Sequence, residues 1–225
     1  MKALIILLFF TTSILAQEFK ALEIKGDVKY QTGTSEQWFE LEEGAMISSS
    51  SIVSTGEKSS VKLVNTDNTV ILNEQSALSV GSIKNMSTDE LLLALAMEDM
   101  INVPKTNGNG SSSNTATYGT KEDDKVISVT TDDFGIKRLN GAVQLVKSGL
   151  KESSVIYAKE TYRKYPDVKN IAGYRIIFAD ILYEKGLYEE ALSEYFEIEK
   201  LELSKDERLK VESHENNINK ILLNN

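Results

Sequence analysis

Cysteine is absent from this chain of 225 residues, and histidine occurs only once, as His214. The lack of cysteine excludes disulfide bonds, thiolate metal ligands, a thiol nucleophile and an acylated cysteine anchor. A single histidine leaves little scope for imidazole metal sites or for a histidine general base. We therefore expect no metal and no cofactor. Because His214 lies among polar residues, we interpret it as a solvated surface side chain.

Positive charge is also scarce. The chain has 25 Lys and Arg residues against 34 Asp and Glu residues, which gives a net charge of −9 and a pI near 4.9. Binding to nucleic acid, or to an anionic membrane surface, requires clustered lysine and arginine. We therefore expect no nucleic-acid partner and no attachment to such a membrane surface.

The motifs of common enzyme chemistry are missing as well. There is no nucleophile elbow, phosphate loop or dinucleotide fingerprint. Carboxylates are plentiful, and two that meet in a cleft can act as acid and base. However, Glu42–Glu43 and Glu189–Glu190 are sequence neighbours, whose side chains diverge on a strand or a helix. We predict that the protein is not an enzyme and has no catalytic residues.

One long apolar run is present, at the start of the chain. Lys2 precedes the apolar residues 3–10, and the small residue Ala16 follows them. This order is typical of a secretory signal peptide, predicted over 1–16, and the run is too short for a comfortable membrane span. An uncleaved anchor is the alternative. We expect a periplasmic or extracellular protein of a Gram-negative type bacterium, with no membrane span once the signal is removed.

Short strands are predicted for most of 17–103. β-Branched runs alternate with Gly, Ser, Asn and Asp, which is typical of antiparallel strands joined by tight turns. Val61 and Leu63 share one face, while Lys62 and Val64 share the other. The polar residues 66–68 between two such runs predict a hairpin turn. The pattern predicts a small all-β sandwich.

Three spaced motifs in this region carry a family resemblance. They are W-x-x-L-x-x-G at Trp38, Leu41 and Gly44, an apolar-x-T-G step at 52–56, and a hairpin pattern at 61–72 followed by Ser76. In this spacing the region resembles the periplasmic FecR domain. It departs from that pattern at the serines 48–51, where the family has an acidic residue, and at Asn68, where it has glycine. The resemblance implies an envelope domain without implying a ligand.

Trp38 is the only tryptophan and has two interpretations. It is either a core anchor beneath the sheet or a platform on which a sugar ring stacks. The adjacent Phe39 is the one neighbouring aromatic residue along the chain, so the sequence leaves both interpretations open.

An unusually apolar helix is predicted over 87–101. Ser87 and Glu90 have capping-box spacing, and Pro104 follows the helix end. Apolar residues surround the first two turns, whereas a surface helix usually shows a single apolar stripe. The helix is therefore expected to pack one face on the β domain and to offer another to a partner. Its candidate partner-binding residues are Leu91, Leu92, Leu95 and Met97.

A flexible polar linker is predicted over 104–133. The tract 107–114 contains only Asn, Gly and Ser and offers nothing apolar with which to dock. Its Asn and Asp residues lack the spacing of an EF-hand, so we predict no calcium site there. The tract predicts that the two halves of the chain fold independently.

The remaining residues, 134–225, show helical periodicity. Gly186, Tyr188, Ala191 and Tyr195 match the turn and second helix of a tetratricopeptide repeat, which this part of the chain resembles. The resemblance implies antiparallel helical hairpins, closed by a polar last helix over about 205–223, and a groove for a protein partner. The candidate groove residues are Ile176, Asp180 and Tyr183.

The sequence thus predicts a mixed chain, β then α, with a FecR-like sandwich, a flexible linker and a tetratricopeptide-like helical domain. We expect an exported, non-enzymatic protein-binding or scaffold protein of the cell envelope. The alternative is a module that binds glycan or cell wall through its β domain. Glycan binding requires exposed aromatic rings on the sheet, whereas protein binding requires an open helical surface. The oligomeric state does not follow from the sequence.

The signal peptide gives the first testable prediction. Protein recovered from the periplasm should begin near Gln17, because Ala16 is the small residue expected at the cleavage site. Sequencing of the mature amino terminus measures this directly. Full-length chain confined to the cytoplasm would contradict export.

Overall fold

The computed structural model describes residues 18–102 and 131–224. Eight strands come first, followed by helices, as the sequence predicts. The strands are β1 (Glu18–Lys25), β2 (Val28–Thr32), β3 (Phe39–Glu40), β4 (Met46–Ser48), β5 (Ser51–Thr55), β6 (Ser60–Val64), β7 (Thr69–Leu72) and β8 (Ala77–Ser79). The helices are α1 (Thr88–Asn102), α2 (Thr131–Lys147), α3 (Lys151–Lys164), α4 (Ala172–Glu184), α5 (Tyr188–Ile198) and α6 (Lys205–Leu223).

The strands form two four-stranded antiparallel sheets, in the orders β4-β1-β6-β7 and β3-β2-β5-β8. Side chains alternate along each strand between the core and the outer surface. On β6, Val61 and Leu63 are fully buried, whereas Lys62 and Val64 are only half-buried. The predicted mixed fold, β then α, is confirmed.

The β6–β7 hairpin turn lies where the sequence predicts it. The side-chain oxygen of Asn65 accepts hydrogen bonds from the backbone N–H groups of Asp67 and Asn68, at 3.0 and 2.7 Å. The residue that closes the turn is therefore Asn65, one position before the predicted turn residues. An asparagine that bonds backbone two and three residues ahead stabilises such a turn without glycine.

The predicted capping box at the start of α1 is confirmed. The Ser87 hydroxyl accepts a hydrogen bond from the Glu90 N–H at 3.2 Å, and the Glu90 carboxylate accepts one from the Ser87 N–H at 2.7 Å. Two backbone donors at the helix start are thereby satisfied. Within 18–102 and 131–224, no helix combines the length and apolarity needed to cross a bilayer.

Two helical hairpins, α2–α3 and α4–α5, turn at glycines. Gly149 and Gly186 adopt the left-handed region, with φ of 85° and 75°. After each glycine, the next N–H bonds back to a carbonyl five residues earlier, from Leu150 to Leu145 and from Leu187 to Leu182. This is the Schellman arrangement, which favours glycine because a β-carbon would strain the left-handed residue.

The helical half packs directly on the sandwich through α2. This helix crosses β7 and β8, and Gly141 sits so close that a β-carbon there would overlap the carbonyl oxygen of Ala77. Side chains reinforce the contact: Asn140 donates to the Gln75 carbonyl at 2.7 Å, and Asn73 donates to Gln144 at 2.8 Å. One hydrophobic core spans both halves. This packing contradicts the expectation of independent halves.

The free edge of β8 is closed by the side chain of Tyr157 on α3. Its hydroxyl donates to the carbonyl oxygen of Ala77 and accepts from the N–H of Ser79, both at 3.1 Å. β8 lies at the end of its sheet and pairs only with β5 there. An unpaired strand edge is a template for unwanted pairing. One buried hydroxyl thus satisfies two backbone groups that no strand reaches.

Removing this hydroxyl should destabilise the fold. Tyr157→Phe leaves the ring in place but strands one buried donor and one buried acceptor, which should lower the free energy of unfolding by about 1–3 kcal/mol. Chemical denaturation of the full chain measures the change. Tyr30→Phe is the matched control, because within the described residues the Tyr30 hydroxyl makes no hydrogen bond. Equal stability of Tyr157→Phe and the control would contradict the assigned role.

Candidate functional site

The buried face of α1 packs on α3. Leu91 and Leu95, one turn apart, are buried there, and Arg163 of α3 binds the Glu98 carboxylate at 3.1 Å. The sequence pattern instead predicts that this face lies on the β domain. Two leucines and an ion pair, spread over about two turns of α1, hold the helix against α3 in a defined orientation.

The opposite side of α1 carries four exposed apolar side chains, which we call the apolar ridge. Their exposed fractions are 42% for Leu92, 64% for Leu93, 56% for Met97 and 76% for Met100. Isolated exposed leucines are ordinary, but an adjacent group of four on one helix is not. The ridge therefore places four of the exposed large apolar side chains of the described residues on one helix.

A cleft adjoins the ridge, between α1 and α5. Its volume is about 260 Å³, and Leu95 and Leu182 form its apolar part. Glu189, Glu190 and Ser193 line the α5 side. Leu92 lies one turn before Leu95 on α1, so the ridge borders the cleft at Leu92.

Lys159 and Glu194, which also line the cleft, belong to a partly buried ion cluster. Glu194 binds Lys159, and it also accepts from Arg175 at 2.9 Å. Burial opposes ionisation of Glu194, but the two cations outweigh it and hold the pKa of that carboxyl below its usual range. The two cations thus share this one carboxylate. The described part of the cleft keeps the charges of Glu189 and Glu190, neither of which forms an ion pair there.

A second polar network joins α4, α5 and α6. The Tyr195 hydroxyl donates to Asp180 at 2.7 Å and contacts Nδ1 of His214 at 2.9 Å, while Lys210 of α6 binds the same aspartate. The His214 ring also packs on Tyr183, with centroids 4.7 Å apart. His214 is therefore a half-buried packing residue. The expectation of a solvated histidine is wrong, because Tyr183 and Tyr195 cover it.

The predicted partner-binding residues divide into three groups. Leu92 and Met97 are exposed on the ridge. Leu91, Leu95 and Ile176 are buried in the core, so the structure corrects their assignment to a surface. Asp180 and Tyr183 are half-buried and held by α6, which closes the groove where they were expected to face a partner.

Sequence reasoning missed the contribution of α5. Glu189 and Glu190 were treated only as a neighbouring acidic pair, because their position beside α1 depends on packing across four helices. One local feature of the sequence does indicate that these two glutamates lie at the surface. Two glutamates in the first turn of a helix complement its dipole and remain at the surface.

Trp38 packs against the helical half. Its ring meets Phe134 of α2 edge to face, with centroids 5.8 Å apart, and Phe134 meets Tyr165 at 6.0 Å. Trp38 is half-buried and so is neither a core anchor of the sheet nor a free stacking platform. Tyr30 packs at the fringe of the core beside Phe39, which is the exposed ring of this pair.

The described ranges contain no group of three His, Asp or Glu side chains arranged to hold a metal ion. The predicted signal peptide lies outside the described residues. Most of the predicted linker lies outside them too, although its last residues, 131–133, begin α2.

Comparisons with known proteins give no relative for this chain. No family model, no curated protein and no solved structure matches it. The resemblances to the FecR domain and to the tetratricopeptide repeat therefore stay predictions. One of their motif residues has a clear local role: the buried Thr55 hydroxyl donates to the Asn73 carbonyl at 2.5 Å and accepts from the Ser76 N–H at 3.0 Å.

A carboxylate pair links the end of α5 to α6. Burial, together with the neighbouring carboxylates of Glu199 and Glu212, raises the pKa of Glu215 to about 7. In the unfolded chain this group titrates near 4.5. The folded state therefore holds the proton more tightly than the unfolded state does. The stability that this proton supplies is fully present below pH 4.5 and is lost as the pH rises through 7.

Glu215→Gln should remove this pH dependence. The variant should unfold at a higher temperature than the parent above pH 7, because it carries no charge to repel Glu199, and at the same temperature near pH 4.5. Thermal unfolding followed across this range tests the prediction. Glu202→Gln, at an exposed position between α5 and α6, is the control. Parallel pH profiles for all three proteins would argue against the pair.

Proposed function

We propose that this protein is an exported, non-enzymatic protein-binding or scaffold protein of the bacterial cell envelope. The apolar ridge on α1 is the observation that carries the proposal. Leaving Leu92, Leu93, Met97 and Met100 in water has a free-energy cost that burial against a partner recovers, at about 25 cal/mol per Å² of apolar surface. Exposed patches of this kind commonly mark interaction sites.

The way α1 is held favours specific binding over a loose apolar contact. Leu91 and Leu95 are buried on α3, and Glu98 pairs with Arg163 on the same helix. The ridge is therefore presented on a fixed support. A partner that docks on a surface already in its bound form loses less conformational entropy on binding.

The residue types on the ridge fit protein recognition. Methionine is flexible and polarizable, so Met97 and Met100 can adapt to different apolar shapes. Leucine supplies the larger part of a helical contact surface. This combination suits a helix or an extended segment laid along α1.

The predicted export supports the envelope assignment. The residues before Gln17 have the order of a signal peptide, and the absence of cysteine agrees with a protein that needs no disulfides outside the cytoplasm. The resemblance to the FecR domain points in the same direction.

The glycan alternative has weaker support. Sugar binding uses aromatic rings that face solvent, but Trp38 packs on Phe134, and Tyr30 packs against the core. Phe39 alone offers an open face on this part of the sandwich. A single phenylalanine gives little basis for sugar recognition, so protein binding is preferred.

Replacing ridge residues tests the proposal. Leu93→Glu with Met97→Glu should abolish capture of envelope proteins, because two charges would be buried at the contact. It should change the free energy of unfolding by less than about 0.5 kcal/mol per exposed site. Capture from an envelope extract and chemical denaturation measure the two effects.

Met46→Glu with Ile71→Glu is the matched control. Both residues are exposed apolar side chains of the sandwich, at 58% and 50%. This control should keep the captured proteins of the parent. If the ridge variant stays folded and captures the same proteins as the control, the ridge is not a docking surface.

A further inference from the structure

We infer that the ridge and the adjoining cleft receive a basic amphipathic segment of a partner protein, with apolar side chains on the ridge and Lys or Arg beside Glu189 and Glu190. This inference rests on the proposed function and specifies the chemistry of the partner. A purely apolar partner would satisfy the ridge alone. The acidic side of the cleft is the feature that selects a basic one.

Among the described residues, most of the charges around the surface are negative. α1 contains no lysine or arginine, and its first turn carries Asp89 and Glu90. On the facing helix, Glu189 and Glu190 also lie in the first turn. Among the described residues nearby, Arg163 is paired with Glu98, while Lys159 and Arg175 share the single carboxylate of Glu194. In the part of the chain that the structure describes, a bound segment therefore meets an excess of negative charge, which complementary lysine or arginine would neutralise.

The size of the cleft indicates what enters it. Pockets for whole small molecules usually span about 300–1,000 Å³. The cleft, at about 260 Å³, lies below that range and is open on one side. It suits one or two anchoring side chains of a longer segment. Leu95 and Leu182 provide apolar contact for such an anchor, and the two glutamates flank it.

A second copy of this chain fits the surface poorly. Pairing two ridges would bring the acidic residues of α1 and α5 near those of the other copy. Each chain also carries a net charge of −9. Like charges placed together across an interface oppose association. The same reasoning disfavours an anionic membrane.

A designed peptide provides the probe. We would use a labelled helix of leucine and lysine with helical spacing, and the same pattern with glutamate in place of lysine, against the full chain. Fluorescence anisotropy should show binding of the lysine peptide, weakening as salt is raised. The glutamate peptide should bind at least about tenfold more weakly. Equal binding of both peptides, or no binding of the lysine peptide, would overturn the inference.

Charge reversal in the protein gives the second arm. Glu189→Lys with Glu190→Lys should lower the affinity for the lysine peptide about tenfold, because each reversal replaces an attraction with a repulsion. Glu42→Lys with Glu43→Lys makes the same change of charge on exposed residues of the sandwich and should leave affinity within about twofold. Equal effects of the two double variants would show that only net charge matters and would overturn the site.

The outcome separates this inference from the proposed function. One outcome is that a captured protein requires the ridge and yet binds equally well to the Glu189→Lys with Glu190→Lys variant. That result would support the proposed function and overturn the inference of a basic partner. Light scattering that shows a dimer lost in Leu93→Glu with Met97→Glu assigns the ridge to a second copy and also overturns it. Ridge-dependent binding to neutral phosphatidylcholine vesicles in place of the lysine peptide has the same consequence. If the ridge variant binds every probe as the parent does, both proposals fail.

Discussion

The arrangement of the molecule depends on how the open edge of β8 is closed. Ala77 and Ser79 present backbone groups that no strand pairs, and the Tyr157 hydroxyl bonds both of them. Gly141 brings α2 into direct contact with the same strand. Burying that edge without these partners would leave polar groups unsatisfied. The helical half is therefore fixed to the sandwich at its first hairpin, and the later helices and α1 take their positions from α3.

Tyr157 is itself held from the other side. The Arg138 guanidinium lies 4.3 Å from the centre of its ring, and Nε of Arg138 donates to Thr161 at 3.2 Å. Burial raises the pKa of Tyr157 to about 12, so the hydroxyl keeps the proton that it donates to β8. A buried arginine requires compensation. Here the ring and Thr161 contact it, and Glu160 lies 3.5 Å from Nη2, which makes no hydrogen bond within the described residues. The edge closure and the buried charge stabilise each other.

Local signals in the sequence predicted local structure well. The capping box at Ser87, the β6–β7 turn and the glycine at Gly186 each act through backbone atoms a few residues away, so a single chain segment contains the whole interaction. Other features depend on elements that are distant in sequence. These are the helix on which Leu95 packs, the ring that Trp38 contacts and the burial of His214. Hydrophobic periodicity predicts that one face of a helix is buried, but it does not identify the element that packs on that face. For that reason α1 was assigned to the sheet, although α3 covers it.

The same limit explains why the candidate binding surface is the ridge on α1 and not the predicted groove on α4. A repeat-like stack was expected to bind through the groove of α4, and Asp180 and Tyr183 were chosen on that basis. In the structure α6 places Lys210 and His214 against these two residues, and one face of α2 packs on the sandwich. Both ends of the helical layer are thus occupied by the chain itself. The side of α1 that α3 does not reach then carries the exposed apolar area, and in the proposed function recognition takes place there.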